Sequence, residues 1–349
     1  MHFAFTDTQL EFRDAVRQVL AKECDTDDVR AAYDAPAART PRWSTLADLG
    51  VTGLSVPVAH GGLGLGLVDL VPLAEEAGRV VLPEPLVATT GLAAPLLADL
   101  DAAGVDDPRI GPWLDAIAAG GLTAAVADPR WPGRPVAGSV GADLLLMVAA
   151  GPDGPALHGV DASSVTVTPV PALDPTRRTG TPVWTPSADT VLASGARAEA
   201  LLASTADRAA VATGAELLGL ADAMIARTAA YAGDRRQFGA PIGSFQAVKH
   251  LLAGAQVLLE FARPVVYGAA WALDAGDADA SRAASVAKAR ASDAAAEAAR
   301  VSLQVHGAIG YTWECDLHLF LKRTWALAEA WGSADDHRSR ILDSLLAGR

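Results

Sequence analysis

Apolar residues recur at helical spacing through the first hundred positions. Phe12, Val16, Val19 and Leu20 fall on one face of a helix that follows Thr6, and Thr6 with Gln9 has the spacing of a capping box. A second helix runs through Trp43, Leu46 and Leu49 and stops at Gly50. A third carries Leu70, Leu73 and Ala77 on one face and the pair Glu75-Glu76 near the other. Adjacent helical residues point in different directions, so this pair reads as a solvated face rather than as a general acid and base. Residues 1–121 are therefore expected to form an N-terminal α-helical domain. From 122 to 203 the pattern changes to short runs punctuated by Pro and Gly, such as 142–148 and 164–170, with Thr166 and Thr168 alternating with Val165 and Val167. Six to eight strands fit that length and predict a small, shortened β domain. After Ser204 the helical period returns in four long Ala-rich stretches, near 206–234, 244–274, 280–308 and 315–347. They predict a four-helix bundle over 204–349, with Leu217, Leu220, Ala221 and Met224 in its core.

Between the first two of these long helices, Asp234 to Ala253 reads as a helix end, a turn marked by Gly239, Pro241 and Gly243, and a new helix from Ser244. Arg235 and Arg236 suit a helix C-terminus on electrostatic grounds alone, as solvated charges. The loop Ser55 to Gly66 is rich in glycine but lacks the strand before it, the helix directly after it and the Lys of a phosphate loop.

Composition narrows the field. Half the chain is hydrophobic (51%), yet runs such as Val80 to Pro85 are interrupted, and no membrane span of about 20 residues is expected. Phe3 to Phe5 leads at once into the polar Thr6 to Gln9, unlike a secretory signal. Cys24 and Cys315 are too few for a disulfide framework or a zinc site, which fits a cytoplasmic setting. His158 has no neighbour at metal-ligand spacing and reads as a surface loop histidine; no metal site is expected. The net charge of −13 argues against nucleic-acid binding, though a local cluster such as Arg235-Arg236 suits a phosphorylated small molecule.

The run from Arg235 through Ala253 resembles the flavin-binding signature of the acyl-CoA dehydrogenase family, and the α, β, α-bundle order is similar to that family's mainly α fold with a small β-barrel-like middle domain. In the family, the arginine of an R-x-x-F-G run and its neighbours reach the pyrophosphate and adenosine of an FAD held mainly by the adjacent subunit. The matching positions are Arg235, Gln237 and Phe238, followed by Phe245 and Gln246. Gln304 to Glu314 resembles the Q-x-x-G-G-x-G-Y segment that lines the same end of the flavin, implying roles for Gln304, Gly307 and Ala308. Ala308 stands where the second glycine is usual, and its methyl group narrows backbone approach. His306 reads as a loop or interface residue. Pro57, Gly61-Gly62, Gly64, Glu75-Glu76 and Gly78 resemble the turn and helix that help shape the acyl pocket, with Val58 in place of a glutamate.

The departures are as informative. Only a trace of the L-T-E-P-x-A-G-S-D segment remains in Ala124 to Gly133, and the tryptophan strand that covers the flavin ring has no clear counterpart. Dehydrogenation needs a carboxylate to take the α-proton. At the position most of the family uses, before Gly332-Ser333, this chain has Trp331; a minority position falls on Asp207, before Arg208, where helix capping is the competing role. Glu329 reads as surface charge.

The resemblance thus implies a short subunit of a heteromeric α2β2 acyl-CoA dehydrogenase that completes the FAD site of a full-length partner subunit. Its substrate would be an acyl-CoA with a steroid side chain or other bulky acyl group, and its electron acceptor an electron-transfer flavoprotein. A self-sufficient homo-oligomer using Asp207, and a flavin-free structural or regulatory subunit, are the alternatives.

Overall fold

The computed structural model describes residues 4–35 and 39–347; Phe3 lies outside the described residues. In chain order the helices are α1 (Asp7–Glu23), α2 (Thr26–Asp34), α3 (Pro41–Asp48), α4 (Leu67–Arg79), α5 (Ala94–Ala102) and α6 (Ile110–Ala118). Six strands follow: β1 (Ala124–Val126), β2 (Leu144–Gly151), β3 (Gly154–Asp161), β4 (Thr166–Pro169), β5 (Gly180–Val183) and β6 (Val191–Ser194). The chain then returns to helix in α7 (Gly195–Asp234), makes the short pair β7 (Arg236–Gln237) and β8 (Ala240–Pro241), and ends with α8 (Gln246–Asp274), α9 (Ala280–His306), α10 (Leu317–Glu329) and α11 (Ala334–Ala347). Two compact units divide it: Met1–Arg30, Val71–Leu82 and Ala210–Arg349 form one, Ala31–Leu70 and Pro83–Ala209 the other.

In the first unit, α1 opens with the expected capping box, Thr6 Oγ1 accepting from the Gln9 amide while Gln9 Oε1 accepts from the Thr6 amide. It buries Val16 and Leu20. Where α4 meets α7 the two backbones touch. A Cβ on Gly78 would strike the Glu216 carbonyl, and one on Gly219 would strike the Glu75 carbonyl. Helix α9 buries a stripe of Ala284, Ala287, Ala291, Ala294, Ala295 and Ala298, side chains small enough for close helix approach. The fourth long helix foreseen near 315–347 is broken in two. Trp331 and Gly332 both take positive φ (57° and 110°), which ends α10 and lets α11 start at Ala334. Among the described residues α7 is the one helix long and apolar enough to cross a membrane, and 83% of its most apolar window is buried in the protein.

The second unit holds a four-stranded sheet in the order β1-β2-β3-β6, with β1 parallel to β2 and the other pairs antiparallel, and a separate β4-β5 ladder. Thr166 and Thr168 face outward as their alternation predicts. His158 corrects the sequence reading. It is no loop histidine but a buried member of β3, its Nδ1 2.9 Å from Thr190 Oγ1 and its ring edge-on to Trp184; burial pushes its pKa down. Helix α3 starts behind the N-cap Thr40 and stops at Gly50 with φ 82°. In the glycine-rich loop Gly62 lies so close to Val56 that any side chain would clash with the Val56 carbonyl, so its glycines serve a tight turn.

Candidate functional site

The candidate face begins where α7 ends. The Arg235 amide still donates to the Tyr231 carbonyl (2.8 Å), and the chain then folds into a hairpin pairing Arg236 with Pro241 and Gln237 with Ala240. Its two central residues, Phe238 and Gly239, both take positive φ (53° and 80°). This is the backbone of a tight hairpin turn, in which Asn-Gly is the usual pair. A phenylalanine there carries strain of roughly 1–2 kcal/mol and yet presents its ring to solvent at 95% exposure. The ring sits edge-on to Phe245, 6.3 Å between centroids. The Ile242 amide closes the base of the hairpin on the Arg235 carbonyl (2.7 Å). Ser244 does not start the next helix: Ile242–Ser244 makes one tight turn, and α8 begins at Gln246 behind Phe245. Arg235, Gln237 and Gln246 are exposed.

The second segment is delivered by the end of α9. His306 is the last residue of that helix rather than a loop residue, and its imidazole stacks on Tyr231 with centroids 4.3 Å apart and planes 14° from parallel. Its Nδ1 donates to the Ser302 carbonyl at 2.8 Å. Burial pushes its pKa down, so the ring is neutral at pH 7, a packing group rather than a cationic one. Tyr231 lies one turn before Arg235 and His306 two residues after Gln304, so the stack holds the two sequence motifs side by side. Gln304 and Ala308 are exposed, and Gly307 takes φ 64° and ψ −143°, a conformation reserved for glycine. Gly310 is buried, and a Cβ on it would come within 3.0 Å of Leu303 and 3.2 Å of His306. Nothing in the sequence marked Tyr231 as a partner for His306, because the two lie in different helices.

The two candidate bases have different surroundings. Asp207 is only 6% exposed and lies in the second unit, well inside α7, which starts at Gly195. It is therefore not the helix N-cap that its sequence context suggested. Its neighbour Arg208 pairs with Asp99 at 3.6 Å, and burial pushes the Asp99 carboxyl up. Trp331 occupies the left-handed turn between α10 and α11, and its carbonyl lies 3.0 Å from His337 Nε2. Lys288, fully buried, donates to the carbonyls of Gly332 (2.9 Å) and Ala328 (2.8 Å) and to Ser292 Oγ (3.2 Å). All three protons of its ammonium thus have acceptors. Glu329 is exposed, as expected.

Glu75 and Glu76 overturn the solvated-face reading: they are 3% and 2% exposed. Glu75 accepts from Tyr267 Oη (2.5 Å) and pairs with Arg263, which also holds Asp222 (2.8 Å). Glu76 is clamped by Arg17 through two bonds of 2.6 and 2.9 Å. Arg79 pairs with Asp222. Burial and the Glu75 charge push the Tyr267 phenol well up. For Arg263 burial opposes ionisation, but Glu75, Tyr267 and Asp222 outweigh it and raise its pKa. These carboxylates are committed to tying α1, α4, α7 and α8 together. Among the described residues no group of three or more His, Cys, Asp or Glu could hold a metal ion.

A guanidinium (Arg235), three side-chain amides (Gln237, Gln246 and Gln304), two aromatic rings (Phe238 and Phe245) and the Gly307 backbone are the exposed groups here that could hold a flat anionic cofactor. Residues 6–103 match the acyl-CoA dehydrogenase N-terminal domain and residues 200–346 the acyl-CoA dehydrogenase C-terminal domain. The chain belongs to the acyl-CoA dehydrogenase family, oxidoreductases that act on the CH–CH bond of acyl-CoA. It is 32% identical to the acyl-CoA dehydrogenase IpdE2 of Mycolicibacterium smegmatis over 94% of this chain and 96% of that one. To the acyl-CoA dehydrogenase FadE34 of Mycobacterium tuberculosis it is 36% identical over 88% of its own length but 42% of the relative's. Among solved structures, a variant of the Tcur3481-Tcur3483 steroid ACAD superposes with a TM-score of 0.86 at 29% identity, covering 98% of both chains.

Proposed function

We propose that this chain is one subunit of a heteromeric, FAD-dependent acyl-CoA dehydrogenase. In this reading Arg235, Gln237, Phe238, Phe245, Gln246, Gln304, Gly307 and Ala308 grip the adenosine and pyrophosphate end of an FAD whose ring lies in a second dehydrogenase-like subunit. The observation that carries it is the Phe238 ring, held at 95% exposure on a left-handed backbone. Strain kept at an exposed apolar group makes sense where a partner or ligand covers that group.

The cofactor, when bound, supplies the hydride acceptor for α,β-dehydrogenation. This chain's part is positional. The Arg235 guanidinium would hold the phosphates, the amides of Gln237, Gln246 and Gln304 would donate to the same end, and the rings of Phe238 and Phe245 would exclude water. Neither candidate position favours a base here, since Trp331 has no proton acceptor and Asp207 is buried in a helix. The base then comes from the partner. The substrate is an acyl-CoA with a bulky acyl group such as a steroid side chain, a reading favoured by the likeness to the steroid ACAD above. Electrons pass to an electron-transfer flavoprotein, in the cytoplasm. The division at residues 121 and 203 belongs to the same reading.

Co-expression with a neighbouring dehydrogenase-like chain, followed by flavin absorbance per pair, tests this. The pair should carry flavin and bleach with acyl-CoA, and the isolated chain should be colourless. Arg235→Gln should lower flavin occupancy about tenfold or more, the worth of a charged hydrogen bond of roughly 1.5–3 kcal/mol. An isolated chain that binds one flavin per protomer and turns over acyl-CoA sinks the proposal. In the second reading, a self-sufficient homo-oligomer with Asp207 as base, Asp207→Ala abolishes bleaching while flavin stays bound. A pair that never takes up flavin would leave the structural subunit.

A further inference from the structure

A cavity of about 250 Å³ opens beside the first turns of α9, lined by Asp279, Ser281, Arg282 and Ser285 and, from α11, by Arg340 and Ser344. Its volume is many times the roughly 10–15 Å³ that a single water requires. It is remote from the face described above, because Ser285 and Gln304 are about 28 Å apart along α9 at 1.5 Å per residue.

Three features of the cavity agree. Asp279 stands at the N-cap of α9 but makes no side-chain cap bond; its carboxylate is turned to Arg282 at 2.6 Å. The Ala280 amide donates to the Asp277 carbonyl and the Ala283 amide to the Asp279 carbonyl, while the amides of Ser281 and Arg282 have no side-chain cap and keep the partial positive charge of a helix N-terminus. Arg340 reaches in from α11, its Nη2 donating to Ser281 Oγ at 2.8 Å. Independently of both, Ser285 is 1% exposed and its hydroxyl has no hydrogen-bond partner among the described residues. An unsatisfied buried hydroxyl costs about 1–3 kcal/mol. A ligand oxygen would remove that cost.

We propose that this cavity binds a phosphate group, free or at the end of a small phosphorylated metabolite. Arg340 supplies the net charge, Arg282 adds donors while its charge is shared with Asp279, the open amides at the start of α9 supply directed donors, and the hydroxyls of Ser281 and Ser285 complete the set. Asp279 and Arg282 offset each other at close range, so the lining keeps the one positive charge of Arg340.

Titration of the full chain, with any subunit that co-purifies, tests the site by scanning fluorimetry and phosphorus NMR line width. Inorganic phosphate should raise Tm and broaden its own resonance saturably, whereas chloride at matched ionic strength should not. Arg340→Gln and Ser285→Ala should each weaken phosphate binding at least tenfold. Arg300→Gln, which breaks only an exposed pair with Glu297, should leave it unchanged. Competition by glycerol 3-phosphate would identify a metabolite ester as the natural form, and its failure would identify free phosphate. Equal responses to phosphate and chloride, or wild-type affinity in Ser285→Ala, overturn the proposal. The serine variant also decides the matter if Arg340→Gln fails to fold.

Discussion

Glu75 shows how far a single side chain can depart from what its neighbours in sequence suggest. Next to Glu76 on an amphipathic helix it looks like surface charge, yet it is buried against Arg263 and Tyr267. Removing one member of a buried ion pair leaves the others uncompensated, so Glu75→Gln should cost about 3–5 kcal/mol in urea unfolding. Tyr267→Phe, which removes a single bond, should cost less. Phe238 poses the opposite case. Phe238→Gly relieves a positive φ and should raise stability by up to about 1 kcal/mol while weakening flavin uptake by the assembled pair; a variant gaining neither strain relief nor a binding defect would refute the role given to that ring. His318 makes stability depend on pH. Burial, with Lys322 and Arg30 adding to it, pushes its pKa down to about 4 from an ordinary 6.5. The unfolded chain then takes up the proton first, so this contribution is complete above pH 6.5 and is lost as pH falls toward 4. His318→Gln should flatten that part of a Tm profile, and an unchanged slope would show that other groups set it.

At the scale of elements, the crossing of α4 and α7 depends on glycines that a side chain would force apart. Gly219→Ala would drive a methyl into the Glu75 carbonyl and should destabilise by about 1–3 kcal/mol or more in chemical denaturation. Gly233→Ala, on the same helix with open space around it, provides the control. The long Ala-rich helices were legible because their periodicity is strong and uninterrupted. Their ends were less so. Helix α7 starts at Gly195 rather than near 206, and α8 starts at Gln246 because Ile242–Ser244 spends its backbone in a turn. The break between α10 and α11 was overlooked although Gly332 and the Ser333-to-Asp336 cap mark it; Trp331 itself gives no sequence signal for a left-handed backbone. Helix α2 was also missed, being short and polar on most of its surface.

At the scale of the whole molecule, the sequence held the order of helices, strands and bundle, and it marked the two exposed segments proposed to face the flavin. It could not hold the contacts that join distant segments. Tyr231 and His306, Lys288 and Gly332, and Arg17 and Glu76 are pairs that only the fold brings together. Large apolar side chains left exposed on the first unit, among them Phe261 (74%), Tyr311 (77%) and Trp313 (64%), fit a chain that works in an assembly. Phe261→Glu should therefore leave the isolated chain folded by circular dichroism but shift its co-purification with a dehydrogenase-like partner from stable to absent. Retention of the complex would place the partner on another face.

The turn at Trp331 has a further consequence. Its main-chain carbonyls are held from outside, by His337 on Trp331 and by Lys288 on Gly332, whatever side chain position 331 carries. These holds do not depend on the indole. A lineage could exchange a reactive carboxylate there for an inert ring, or restore it, without renegotiating the fold. Trp331→Glu should accordingly melt within a few degrees of the parent chain.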